Sequence, residues 1–187
     1  MDRNRRNELA DLTPATEGFV LHWGEMGTRW GINRTVAQIH ALLYLSPEPL
    51  NAEQIAETLS VARSNVSNSL HELQSWGIVK VVHVMGDRRD HYESMKDVWE
   101  MFQIILDERK KRECDPTLSV LRELTAKAKK AGVKDAYAHE RLSDMLGFFE
   151  SMSGWYMQMR RMPTGALIKF VKMGDRVRKL LGLASGQ

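Results

Sequence analysis

Between Asn51 and Tyr92 the chain reads NAEQIAETLSVARSNVSNSLHELQSWGIVKVVHVMGDRRDHY, and few folds accommodate that order of local signals. Asn51 with Gln54 three residues on makes a capping-box pattern, so a helix starts there. Ala52, Ile55, Ala56 and Leu59 give that helix an inner face. A turn at Ser60-Val61-Ala62 leads to a second helix, about Arg63 to Trp76, with Gly77 at the expected C-terminal position. Ile78, Val79, Val81, Val82 and Val84 are β-branched and read as a strand. Gly86-Asp87 starts a turn, and Asp90 to Ser94 can form the return strand. Two short helices, a tight turn and a two-stranded hairpin therefore follow one another within about forty residues.

The second helix has two unlike faces. Val66, Leu70 and Leu73 share one stripe and should pack inward, whereas Arg63, Ser64, Ser67, Asn68 and His71 lie opposite, with Asn65 nearby. No acidic residue occurs on this helix before Glu72, although a generic solvated helix would intersperse Glu with Lys. Arg and Asn can make bidentate contacts to guanine and adenine edges, and Ser adapts to bases or phosphates. The hairpin tip carries Arg88 and Arg89, with Lys80 and His91 close by. Alone, such a tip is more often a solvated turn. Directly after a helix-turn-helix it becomes a wing able to follow a DNA backbone or enter a minor groove.

The bulk properties restrict the other possibilities. Net charge is only +3, so affinity for nucleic acid has to come from a local patch. One cysteine, Cys114, among 187 residues excludes an internal disulfide framework and fits a reducing cytosol. No secretory segment opens the sequence, and no apolar run reaches the roughly 18 to 20 residues that span a bilayer; a cytoplasmic protein is expected. The six histidines are scattered, and neither H-E-x-x-H, C-x-x-C, a P-loop nor G-x-G-x-x-G occurs. The sequence therefore predicts no catalytic residues, no metal site and no cofactor.

The flanks read as helices. Residues 1 to 12 form a polar arm. Thr13-Pro14 then starts a helix to about Arg29, with Phe19, Val20, Trp23, Met26 and Trp30 near one face and Gly24, Gly27 and Gly31 interleaved to admit another helix closely. Trp23 there suits a dimer contact, and core packing within one subunit fits equally. A helix over about Thr35 to Leu45 ends at SPEPL. Beyond the hairpin, Ser94 and Asp97 make an S-x-x-D cap, and a helix from about Thr117 to Lys130 follows. Between Asp135 and Met162, Leu142, Met145, Phe149, Met152, Tyr156 and Met159 alternate steps of three and four, a coiled-coil-like seam suited to dimerisation. A last amphipathic helix carries Leu167, Phe170, Val171, Val177 and Leu181; docking within a dimer suits it better than a membrane surface. Trp99, Phe102, Phe149, Trp155 and Tyr156, if they converge, form an effector pocket that would hold a cationic solute by cation–π attraction, although packing is the commoner use of such rings.

The stretch AEQIAETLSVARSNVSNSLHELQSWGIV followed by GDRRDHY resembles the winged helix-turn-helix of MarR-type transcriptional regulators, and within them the GbsR-like branch most. The resemblance implies a homodimer whose recognition helices enter successive major grooves of double-stranded DNA, typically at a palindromic operator. It gives Arg63, Ser64, Asn65, Ser67 and Asn68 the groove-reading role and Arg88 and Arg89 the wing role, with Asp87 positioning a wing arginine. Ala62 departs from the Ser or Thr helix cap of many relatives. The expected architecture is mainly α with a small β-hairpin wing: an N-terminal arm and dimerisation helix (1–31), a winged helix-turn-helix domain (32–96) and a C-terminal helical dimerisation and regulatory region (97–187). The expected function is that of a DNA-binding transcriptional regulator, a repressor answering to a small-molecule effector. Two other readings fit the same residues: a winged helix that binds protein and not DNA, or a small-molecule sensor built on the aromatic pocket.

Overall fold

Thr13 accepts a hydrogen bond from the Thr16 amide at 3.2 Å, and Pro14 fills the first helical position of α1 (Pro14–Arg29), where no N–H is needed. The computed structural model describes residues 12–173. Most of the expected N-terminal arm and the far part of the last helix, with Val177 and Leu181, lie outside them. The buried side of α1 is Val20, Gly24 and Gly27; of the rest of the expected row, Phe19, Trp23 and Met26 are half-buried and Trp30 is exposed. Phe19 stacks on Trp23 at 5.3 Å and Trp30 meets Trp23 edge-on at 6.2 Å. The glycines do admit a neighbour closely, and it is α2 (Arg34–Leu45): a Cβ on Gly27 would stand 2.5 Å from that of Ala37.

α2 is the centre of the first unit. Val36, Ala37, Ile39, His40, Ala41, Leu42 and Leu43 are all buried, a run too continuous for a helix with one solvated face. Burial, with Lys96 as a smaller cause, lowers the His40 pKa to about 4, so this imidazole is neutral at pH 7.

After SPEPL the chain is briefly extended. Leu50–Asn51 forms β1, and Asn51 also caps α3 (Ala52–Leu59). Its side-chain oxygen accepts from the Glu53 and Gln54 amides at 3.0 Å each, while the Asn51 amide donates to Gln54 at 2.9 Å. This reciprocal box satisfies the orphan donors of the first turn. α3 ends at Ser60, which takes the left-handed conformation at φ 52°. Two residues later α4 (Arg63–Ser75) begins at Ala62, which supplies no side-chain cap. Gly77 closes it at φ 78°; a side chain there would be strained.

The hairpin is β2 (Val79–Val82) and β3 (His91–Ser94), with Val79 opposite Ser94 and Val82 opposite His91. The sheet has a third strand that the spacing did not reveal: Leu50 and Asn51 pair antiparallel with Tyr92 and His91, giving the order β1-β3-β2. Two residues are too few for an alternating pattern to show. Lys96, just past β3, donates to the carbonyls of Leu43, Tyr44 and Ser46 at 2.9, 2.8 and 2.9 Å. One ammonium thus ties the foot of the hairpin to the C-terminus of α2, the end that attracts cations. Ile39, Leu43, Leu50, Ile55, Val66, Leu70, Leu73 and Ile78 are fully buried.

α5 (Val98–Arg109) is capped by Asp97 alone, whose side chain accepts from the Trp99 and Glu100 amides at 2.8 and 2.9 Å. Ser94 is buried in β3 and its hydroxyl donates to the Met95 carbonyl; the expected S-x-x-D box is absent because Ser94 belongs to the sheet. The chain divides into two compact units between Ile104 and Ile105, within α5. A π-helical turn, Lys110–Cys114, joins α5 to α6 (Asp115–Ala131). Pro116 near the start of α6 cannot donate to the preceding turn, and a widened turn accommodates that loss.

In the second unit α6 packs against α7 (Ala136–Arg160), and α8 (Thr164–Lys172) follows. Leu118, Leu121 and Ala128 are the buried side of α6, and Arg122 pairs with Glu150 at 2.9 Å. The Tyr156 hydroxyl and Arg160 Nε both donate to Asp107. The expected seam on α7 is two stripes. Leu142, Phe149, Tyr156 and Met159 are half-buried, while Met145 and Met152 lie with Phe148 and Trp155 on an outer stripe, each 48–60% exposed.

Candidate nucleic-acid interface

α4 rests on the core through Val66, Ser69, Leu70 and Leu73. That packing turns Arg63, Ser64, Asn65, Ser67, Asn68 and His71 outward, and all six are exposed. The free face carries one arginine, two asparagines, two serines and a histidine. Such a surface presents donors and acceptors at several heights, as reading base edges requires.

The wing tip is built by a small ion-pair system. Asp87 accepts from Arg89 Nε at 2.9 Å and from its second guanidinium nitrogen, and it also receives the Arg89 amide at 3.0 Å. These hydrogen bonds hold the Asp87 carboxyl far below the usual carboxylate range and raise the Arg89 guanidinium above its ordinary value. His91, buried at the start of β3, has Nδ1 3.0 Å from the Arg89 carbonyl and Nε2 3.6 Å from Asp87. Lys80 and Glu93 pair across the strands at 2.8 Å. Arg88 is exposed and, among the described residues, has no ion-pair partner.

A third carboxylate completes the system, and local sequence patterns gave no sign of it. Glu53, in the first turn of α3, lies 3.2 Å from the Arg63 guanidinium through Oε1 and 3.0 Å from that of Arg89 through Oε2. The helix residue and the wing residue assigned to DNA thus meet on one side chain. Glu53 and Arg89 are 36 positions apart, beyond the reach of any helical or strand period.

The remaining candidate residues are spread over both units. Trp23 belongs to the aromatic row of α1. Trp99 and Phe102 are in the first unit, and Phe149, Trp155 and Tyr156 are in the second. Phe149 has an edge-on contact with Phe148 at 5.7 Å, and the Tyr156 hydroxyl is committed to Asp107.

A helix-turn-helix followed directly by a hairpin, with a short third strand at the hairpin's outer edge, defines a winged helix-turn-helix. Residues 30–90 match a model of the MarR family. The Bacillus subtilis (strain 168) protein YvaV, whose name describes an HTH-type transcriptional regulator, is similar at 22% identity over 97 residues, 52% of this chain and 55% of that one. The match thus spans about half the length of that relative. A crystal structure of a transcriptional regulator covers 85% of this chain and 99% of its own at a TM-score of 0.52 and 20% identity, a likeness of fold. Together these similarities bear on the winged helix-turn-helix fold. Among the described residues, no helix is long and apolar enough to cross a membrane.

Proposed function

We propose that this protein is a sequence-specific transcriptional regulator of the GbsR-like type that binds duplex DNA as a homodimer and acts as a repressor. The observation that carries the reading is the exposed polar face of α4, from Arg63 to His71, beside a wing whose Arg88 is free among the described residues. In this reading α4 enters a major groove. Arg63, Ser64, Asn65, Ser67 and Asn68 meet base edges, His71 flanks them, and the wing follows the neighbouring backbone.

One such unit on a chain of net charge +3 binds weakly and without symmetry. Two copies supply both affinity and a palindromic operator, with half-sites about 34 Å apart. The helices outside the winged domain carry the pairing. The aromatic row with Trp23 on α1 and the outer stripe of α7 present the apolar area, and exposed patches of that kind commonly mark association surfaces. A small-molecule effector would act by changing the separation of the recognition helices.

Selection of bound duplexes from a random pool tests the reading. A palindromic consensus, bound with an affinity that falls steeply with salt, is the expected result. A folded protein that enriches no sequence and shows no salt-dependent binding would overturn it, in favour of a winged helix that binds another protein. For the dimer, sedimentation equilibrium should show two chains for the native protein and one for Met145→Glu/Met152→Glu.

A further inference from the structure

We propose that Glu53 sets the affinity of this interface, as a carboxylate that holds Arg63 until DNA offers it a better partner. The proposal rests on the DNA-binding reading above. Its basis is the double bridge from Glu53 to Arg63 and Arg89.

The two arginines are held unequally. Arg89 is gripped by Asp87 through two nitrogens and gives only its third to Glu53. Among the described residues Arg63 has a single ion pair, and its side chain is 70% exposed. Glu53 itself is fixed at its base, because its amide donates into the Asn51 capping box at 3.0 Å. An exposed single pair is weak, so an approaching phosphate or guanine edge can displace Arg63 while Arg89 stays.

The charge balance gives that exchange a consequence. Glu53 and Asp87 offset the charges of Arg63 and Arg89 in the free protein, whereas the exposed Arg88 stays available to phosphate. Releasing Arg63 from Glu53 costs the same on every duplex, and that cost is offset where Arg63 finds a bidentate acceptor, a phosphate or a guanine edge. Glu53 thus lowers affinity for every duplex that engages Arg63, and most where the engagement is complete.

The test compares the full chain and its variants on two duplexes of equal length: the sequence selected by the native protein and a scramble of it. In Glu53→Gln, affinity for the selected duplex should rise several-fold, roughly 3- to 10-fold, with a salt slope steeper by about one unit. Affinity for the scramble should rise by no more than that, so the ratio between them does not fall. Glu57→Gln, which removes an exposed charge from the same helix, should raise neither affinity to that extent. In an Arg63→Gln background the Glu53 effect should vanish, since the two substitutions then address one interaction. Glu53→Asp, too short to reach both arginines, should give the same direction and serves if the glutamine variant fails to fold. Unchanged affinity for the selected duplex in folded Glu53 variants, or an equal effect with and without Arg63, would overturn the proposal. Absence of binding by the native protein to any duplex would instead overturn the DNA-binding reading, and this inference with it.

Discussion

Gly27 and Ala37 share one van der Waals space: the hydrogen on Gly27 points where a Cβ would stand 2.5 Å from the methyl of Ala37. Both atoms are on helix backbones, so neither can swing away. Gly27→Ala should therefore destabilise the first unit by about 1–3 kcal/mol through overpacking, despite alanine's better helix propensity. Urea unfolding checks it, and adding Ala37→Gly should recover part of the loss. Gly24→Ala should cost less, because the atom it meets at 2.6 Å is Cγ of the half-buried Gln38 side chain.

Lys96 has three carbonyl acceptors at the end of α2. Replacing it by Met removes charge-assisted bonds, each worth more than a neutral one, and leaves the part-buried Leu43 carbonyl without that donor. A loss of about 2 kcal/mol is expected, read as a lowered urea midpoint. Arginine should rescue little, since its donors are spread over a planar fork and cannot converge from one nitrogen.

His40 gives the first unit an acid-sensitive core. Its folded pKa of about 4 lies below the ordinary 6.5, so the unfolded chain binds a proton more readily. The associated stability is complete above about pH 6.5 and declines as pH falls toward 4, by at most about 3 kcal/mol. His40→Leu should flatten that limb of a stability-against-pH curve. A limb equally steep in the variant would assign the acid sensitivity to other groups.

The two wing arginines should separate in mutagenesis. Arg88→Ala is expected to leave thermal stability unchanged and to weaken binding on all duplexes, with the salt slope reduced by about one. Arg89→Ala removes the strut between Asp87 and Glu53 and should loosen the hairpin, seen as faster amide exchange in β2 and β3. Indistinguishable behaviour of the two variants in binding and exchange would contradict this division.

Much of the winged unit was legible because its signals are local. The Asn51–Gln54 box, the stripe Val66, Leu70 and Leu73, and the β-branched run before Gly86 are each set by residues within a few positions of one another. They emerge in the structure at those positions. The flanks were legible as helices but not in their facing. On α1 the buried side is the glycines and Val20, because close approach to α2 leaves room only for small groups. On α7 one apparent seam became two stripes, since a helix apolar on several sides does not reveal which side its neighbour covers.

By itself the sequence determined the helices, the turn, the hairpin and an outward polar face on α4 free of carboxylates, because each depends on residues a few positions apart. Only the tertiary structure decided that Asn51 is both a cap and a strand residue, that Lys96 fastens the hairpin to α2, and that Glu53 joins Arg63 to Arg89. These are contacts between side chains distant in the chain. Their partners are selected by how the core brings elements together, and no spacing rule encodes that choice.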